Sequence, residues 1–229
     1  MGIINQPKDD CLIENFDTIN LYQVGKTNLS EFSEFVFEMY SYHYLKKYDW
    51  LPNTKELEEM KQSDYNHFDD SVYFGFRSSK QKFLGTIKAT KRSNKKTFPI
   101  EYEFNIDIER IISQKNLKVD EVWHLGRLAI DSIVLRAQNS TLTSMQMVRL
   151  LLIHSLRVIN HKPNSLMIAE SDVLIHQIFQ DLGIHMEIVG KVKECLGSPT
   201  YPVIFTGENI DKWLKNNPIE QSVLKNVLM

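Results

Sequence analysis

Cysteine is scarce in this chain: Cys11 and Cys195 are the only two among 229 residues. They match no metal-ligand or redox spacing and make no disulfide framework, which fits a reducing cytoplasm. Long apolar runs are missing as well. The longest, from Met145 to Val158, is interrupted by Arg149, His154 and Arg157 and is too short to span a bilayer, so no integral membrane segment is expected. The opening residues, MGIINQPKDD, lack the charged, apolar and cleavage regions of a signal peptide. Nor is one sign of charge in excess. Lys and Arg number 27 against 29 Asp and Glu, a net charge of -2 that offers nucleic acid no basic field. The seven histidines do not cluster at metal-ligand spacing, so no metal is expected. G-x-S-x-G, the P-loop and G-x-G-x-x-G are all absent.

What is present suits an ordinary soluble globular protein, at 42% hydrophobic and 24% charged residues. No repeat or Pro/Gly/Ser-rich linker divides it, so one domain is expected, with a core over 28–205 and a helical tail over 206–229. Helical spacing of Phe32, Phe35, Val36 and Met39 predicts a first helix over 29–47, with Asn28 and Glu31 as its capping box. The carboxylate-rich segment YDWLPNTKELEEMKQSDYNHFDD reads as a functional loop. Strands are expected at 72–76 and 83–90, a basic turn over 93–97, extended chain over 99–104 and a short helix over 107–114. Further on come a helix capped by Ser140 or Thr141, a strand over 166–169, and a helix capped by Ser171 or Asp172 and stopped by Gly183. Strands around 186–192 and 201–205 and a last helix over 211–215 complete an α/β (α+β) order, a mixed central sheet flanked by helices.

One strand carries unexpected polarity. EVWHLGRLAID places His124 and Arg127 three residues apart, on opposite faces unless a bulge intervenes. Gly126 between them is the residue type that permits one. With a bulge, both reach one cleft; without one, they are a satisfied core histidine and a paired arginine. Asp64, Asp69 and Asp70 lie shortly before a strand, where they either bind an amine, pair with Arg127 or sit in a solvated loop. Cys195 is expected to pack under a strand.

Short blocks from Tyr40 to Phe205 resemble the acyl-homoserine-lactone (autoinducer) synthases and N-acyl amino acid synthases, branches of the GNAT acyltransferase superfamily. Tyr44 to Trp50 matches an aromatic stretch that ends in tryptophan. Asn66-His67-Phe68-Asp69 stands at D-x-F-D, and Gly85-Thr86-Ile87-Lys88 at a G-T-x-R-like strand. Phe98 to Phe104 matches a Pro-containing block, and Trp123 to Ile130 matches W-E-x-x-R-[FL]-x-V. Ala169 to Asp172, Leu182-Gly183-Ile184 and Val189-Gly190 resemble the C-terminal acyl-binding half. The departures are polar: His124 replaces a glutamate, Asn66 an aspartate, Lys88 an arginine, and Tyr40 stands at a helix arginine. Arg127 and Asp69 are kept.

The resemblance implies a GNAT-like fold and acyl transfer from a thioester to a small amine acceptor. His124 would be the base; Arg127 would bind the acceptor's polar head with Asp69 and Lys88, near Trp50, Phe68 and Asn66. Met145, Val148, Leu152 and Phe179 are the candidate acyl-chain pocket, or plain core. Relatives that use acetyl-CoA carry glycines in Q/R-x-x-G-x-G/A, whereas Arg136 to Thr141 has none. Acyl carrier protein is therefore the expected donor partner, ahead of acyl-CoA, with no tightly bound cofactor. The alternatives are a non-catalytic acyl-carrier or lipid-sensing module on the same fold and an acetyl-CoA-dependent acetyltransferase.

Overall fold

A computed structural model describes residues 6–48, 53–93, 97–138, 140–195 and 197–219. Among the described residues nine strands form one sheet: β1 (Cys11–Phe16), β2 (Ile19–Gln23), β3 (Ser71–Ser78), β4 (Phe83–Lys91), β5 (Glu121–Ile130), β6 (Ser165–Asp172), β7 (Glu187–Ile188), β8 (Lys193–Cys195) and β9 (Ser198–Thr206). Their order is β1-β2-β3-β4-β5-β6-β9-β7, with β8 also on β9. Among the described residues β5 and β6 are the parallel pair, and the other pairs are antiparallel. The helices are α1 (Leu29–Tyr48), α2 (Thr54–Asn66), α3 (Pro99–Tyr102), α4 (Ile108–Gln114), α5 (Ser132–Ala137), α6 (Ser144–Ile159), α7 (Val173–Asp181) and α8 (Gly207–Asn216).

Alternation along β3 divides the interior. Val72, Phe74 and Phe76 face the main core, which α6, α7 and α8 cover, whereas Tyr73 faces a second cluster under α1 with Phe32, Phe35 and Phe83. A third cluster joins Phe98, Ile100 and Ile108 to Val122, Ile168 and Ile204. In α6 nearly every position from Met147 to Leu156 is buried, so Leu152 packs in the main core.

Several expectations need correction. The acidic segment is helical: Asn53 accepts from the Glu56 N–H while the Glu56 carboxylate accepts from the Asn53 N–H, a capping box that opens α2. Residues 99–102 are a helical turn, because Pro99 at N1 supplies a helical φ and Glu101 accepts from the Phe98 N–H at 2.9 Å. Thr143, boxed with Gln146, caps α6 in place of Ser140 or Thr141. Glu31 pairs with Arg77 at 2.9 Å, and a 3₁₀ turn at Lys26–Asn28 leads into α1. The strand expected over 186–192 pairs only at Glu187–Ile188. The basic turn over 93–97 lies largely outside the described residues, as does the tail beyond 219. Asp172 caps α7, with Oδ1 accepting from the Ile175 N–H at 2.7 Å, and Gly183 at φ 78° stops the chain after it.

Candidate active site

The site begins with a bulge. In the β4–β5 register Thr86 faces Ala129 and Lys88 faces Gly126, so one extra residue is taken up on β5. That residue inverts the alternation: Trp123 and Leu125 face the main core, and then so does Leu128 instead of residue 127. His124 and Arg127 consequently reach the same side. The left-handed conformation falls on Arg127 itself, at φ 57°, and not on Gly126. The sheet opens at the same place. β5–β6 pairing ends at His124 opposite Ile168, although β5 continues to Ile130 and β6 to Asp172. A cavity of about 990 Å³ occupies the opening.

One lobe of this cavity is polar. Lys88 Nζ lies 2.9 Å and Arg127 Nε 3.3 Å from the same Asp64 oxygen, and Ser33 Oγ donates to the other at 2.9 Å. Asp64 is fully buried. Burial alone would raise its pKa, but Arg127 and Lys88 outweigh burial and hold the carboxyl below the usual aspartate range. Within this cluster Arg127 and Lys88 meet the single Asp64 carboxylate, while the carboxylates of Glu170 and Asp172 line the same cavity. The terminal nitrogens of Arg127 make no hydrogen bond among the described residues. Burial pushes the nearby Tyr40 hydroxyl up to about 12, so it stays protonated and can donate at neutral pH.

At the point of the opening, His124 Nε2 lies 2.7 Å from Glu170 Oε2, and the Phe98 ring stacks on the imidazole with centroids 5.1 Å apart. Burial favours a protonated Glu170, yet the interaction with His124 prevails and holds its carboxyl below the usual glutamate range. The other lobe is apolar, lined by Leu128, Ile130, Met145, Val148, Leu174, Ile175, Ile178 and Phe179. Tyr44 of α1 bridges the two sides, its hydroxyl donating to Asp172 Oδ2 at 2.7 Å.

His124, Arg127, Lys88, Met145, Val148 and Phe179 thus line one cavity. Leu152 does not: it is fully buried in the main core. The loop block is displaced. Asp69 is exposed, Asn66 is exposed and accepts from Gln62, and Phe68 is buried against Tyr73; of that block only His67 lines the cavity. Asp64, one turn earlier, is the carboxylate that meets Arg127. Trp50 lies outside the described residues. Cys195 is half-buried on the cavity rim and not under a strand, and burial followed by Glu103 pushes its thiol pKa up. The sequence reading did not assign Glu170 a role. Its signal was available, since a carboxylate in the apolar strand LMIAE is as anomalous as a histidine in EVWHL. Among the described residues no cluster of His, Cys, Asp or Glu is placed to hold a metal, and no helix is long and apolar enough to cross a membrane.

No family model matches the chain, and no curated protein matches it in sequence. Solved structures do match. The chain is similar to FeeM, an N-acyl amino acid synthase from uncultured soil microbes, at 11% identity and TM-score 0.57, over 93% of this chain and 96% of that one. It is similar to TofI, solved with an inhibitor and MTA, at 16% identity and TM-score 0.56, over 86% of this chain and 96% of the other. The AHL synthase LasI matches at 11% identity and TM-score 0.55, over 92% and 98% of the two chains. At these identities the likeness is one of fold. The chain has the GNAT-like fold that its sequence blocks led us to expect.

Proposed function

We propose that the protein is an N-acyltransferase that moves a fatty acyl group from a thioester to the amine of an amino acid or similar small acceptor. The observation that carries this reading is the opening between β5 and β6, where a histidine stands between a polar pocket and an apolar one. The acyl chain lies against Met145, Val148, Ile178 and Phe179. The acceptor's carboxylate binds Arg127, whose planar fork suits it, with Lys88 adding charge. His124 takes a proton from the acceptor nitrogen, directly or through one water. The nitrogen attacks the thioester carbon, the C–N bond forms, and an N–H on the unpaired edge of β5 stabilises the oxyanion. The C–S bond then breaks, and the proton held on His124 passes to the departing sulfur, which leaves as the thiol.

Acyl carrier protein is the better donor on a second observation. The segment before α6, Arg136 to Thr141, has no glycine to bring its backbone close to a coenzyme pyrophosphate, and the Thr143–Gln146 capping box already uses the Gln146 N–H of that helix N-terminus. Such a reaction draws on the thioesters of the cytoplasm. The assay pairs acyl carrier protein and acyl-CoA donors with a panel of amino acids and reads N-acyl products by mass spectrometry. Product formation that falls at least about 100-fold in His124→Ala, with folding kept, is the expected result. Normal turnover by that variant overturns the base assignment. Binding of acylated carrier protein with no product from any amine makes the chain a sensor instead, and efficient transfer of acetyl from acetyl-CoA makes it an acetyltransferase.

A further inference from the structure

An imidazole offers two nitrogens, and the one that works as a base is decided by what the other is bonded to. Two contacts fix the His124 ring, and one absent side chain leaves its edge open. Nε2 lies 2.7 Å from a Glu170 oxygen, and the Phe98 ring stacks at an interplanar angle of 19°. The absent side chain is that of Gly126, where a Cβ would come within 3.0 Å of His124 Cε1 and 3.5 Å of Nδ1. Glycine at 126 therefore leaves the Nδ1–Cε1 edge of the ring uncovered on the cavity side. Nδ1 has no hydrogen bond among the described residues. A carboxylate can only accept, so a neutral imidazole facing it must keep its proton on Nε2.

We propose that Glu170 is a positioning residue that locks His124 as the Nε2–H tautomer, making Nδ1 the atom that accepts the amine proton; the assignment rests on the acyl-transfer reading above. The balance is simple. The acceptor N–H proton moves to Nδ1, and the imidazolium so formed is paired with the Glu170 carboxylate. When the C–S bond breaks, the same proton passes from Nδ1 to the departing sulfur. Glu170 gains and loses no proton in the cycle. Nothing in this scheme requires it to touch substrate, so its loss falls on kcat more than on the acceptor's KM.

The test uses the full chain labelled with ¹⁵N-histidine. Nitrogen shifts and two-bond couplings at about pH 8.5, above the ordinary imidazole range, give the tautomer, and the His124 signals are assigned by their loss in His124→Gln. Wild type is expected as Nε2–H. Glu170→Ala is expected to mix the tautomers and lower kcat about 100-fold, with the acceptor KM nearly unchanged. Glu170→Gln, the same shape without charge, serves if the alanine variant does not fold; its carboxamide can also donate to Nε2, so the Nε2–H population falls there too. A wild-type Nδ1–H tautomer overturns the proposal, and so does an unchanged tautomer and kcat in both variants. A locked Nε2–H tautomer in a chain that acylates no amine leaves the lock intact, while the reaction and the role of Nδ1 both fall.

Discussion

Arg127 carries its side chain on a backbone at φ 57°, so alanine and glycine at this position test two different things. Either substitution removes the guanidinium that lies 3.3 Å from the fully buried Asp64. Stripping a buried carboxylate of its only partner costs about 3–5 kcal/mol. Here Lys88 at 2.9 Å and Ser33 at 2.9 Å remain, so the loss shrinks to that of one hydrogen bond to a charged group, about 1.5–3 kcal/mol. Alanine keeps the left-handed backbone that an L-residue holds at a cost of about 1–2 kcal/mol. Glycine relieves that cost but gives back about 0.4–1 kcal/mol through its freer unfolded chain. Arg127→Ala should therefore lose about 2 kcal/mol and Arg127→Gly about 0.5–1 kcal/mol less. Lys88→Ala, which removes the shorter contact, should lose more than either. Urea unfolding at neutral pH measures all three, provided the m-value is unchanged. An alanine variant as stable as the glycine one would refute the strained bulge. A lysine variant milder than Arg127→Ala would refute the ranking of partners around Asp64.

Two further outcomes concern other parts of the molecule. His154 packs on Phe74 with Nε2 buried and unpartnered, and burial, aided by Arg157, pulls its pKa down to about 4. Because the folded value lies below the unfolded one of about 6.5, the neutral ring's contribution is complete above that pH. It is lost as pH falls from there through about 4, an effect of about 3 kcal/mol by linkage. His154→Gln should flatten stability across that window, and an unchanged slope in chemical denaturation would count against it. In the apolar lobe, Val148→Trp should narrow the cavity and shift product profiles toward shorter acyl chains. Leu152→Ala should instead cost about 2–5 kcal/mol of stability with the profile unmoved; the reverse pattern would put Leu152 in the pocket.

Legibility in the sequence followed the strength of the local signal. Amphipathic runs such as Phe32 to Met39 and Leu174 to Leu182 gave α1 and α7 nearly to their ends, because burial of one helical face depends on spacing alone. β1 and β2 were not expected. CLIENF and INLYQ are short and mixed in polarity, and β1 is an edge strand with most positions exposed, so alternation there is weak. The acidic segment misled for a related reason. Its mean polarity is high, yet Met60 packs on the cluster under α1 and Asp64 is buried one turn later. A carboxylate on the inward face of a helix breaks the apolar pattern that would have revealed the helix. The N-T-K-E capping box at Asn53–Glu56 was the better clue.

The same logic explains how much of the site could be found. His124 and Arg127 stood out because a buried strand has little use for charge, and Gly126 correctly signalled a bulge although the positive φ fell one residue later. Their partners lie 63 residues from Arg127 and 46 from His124, separations over which no local pattern carries information. What decides the pairing is that a charge placed inside must be met by its opposite. The residue types allow Asp64, Asp69 or Asp70 to pair with Arg127; counting buried charges by helix face selects Asp64 among them and leaves Glu170 for His124. The exposed Asp69 has no such obligation. A motif aligned by spacing alone therefore chose the carboxylate that solvent could satisfy, and the cost of burial selects the one that solvent cannot.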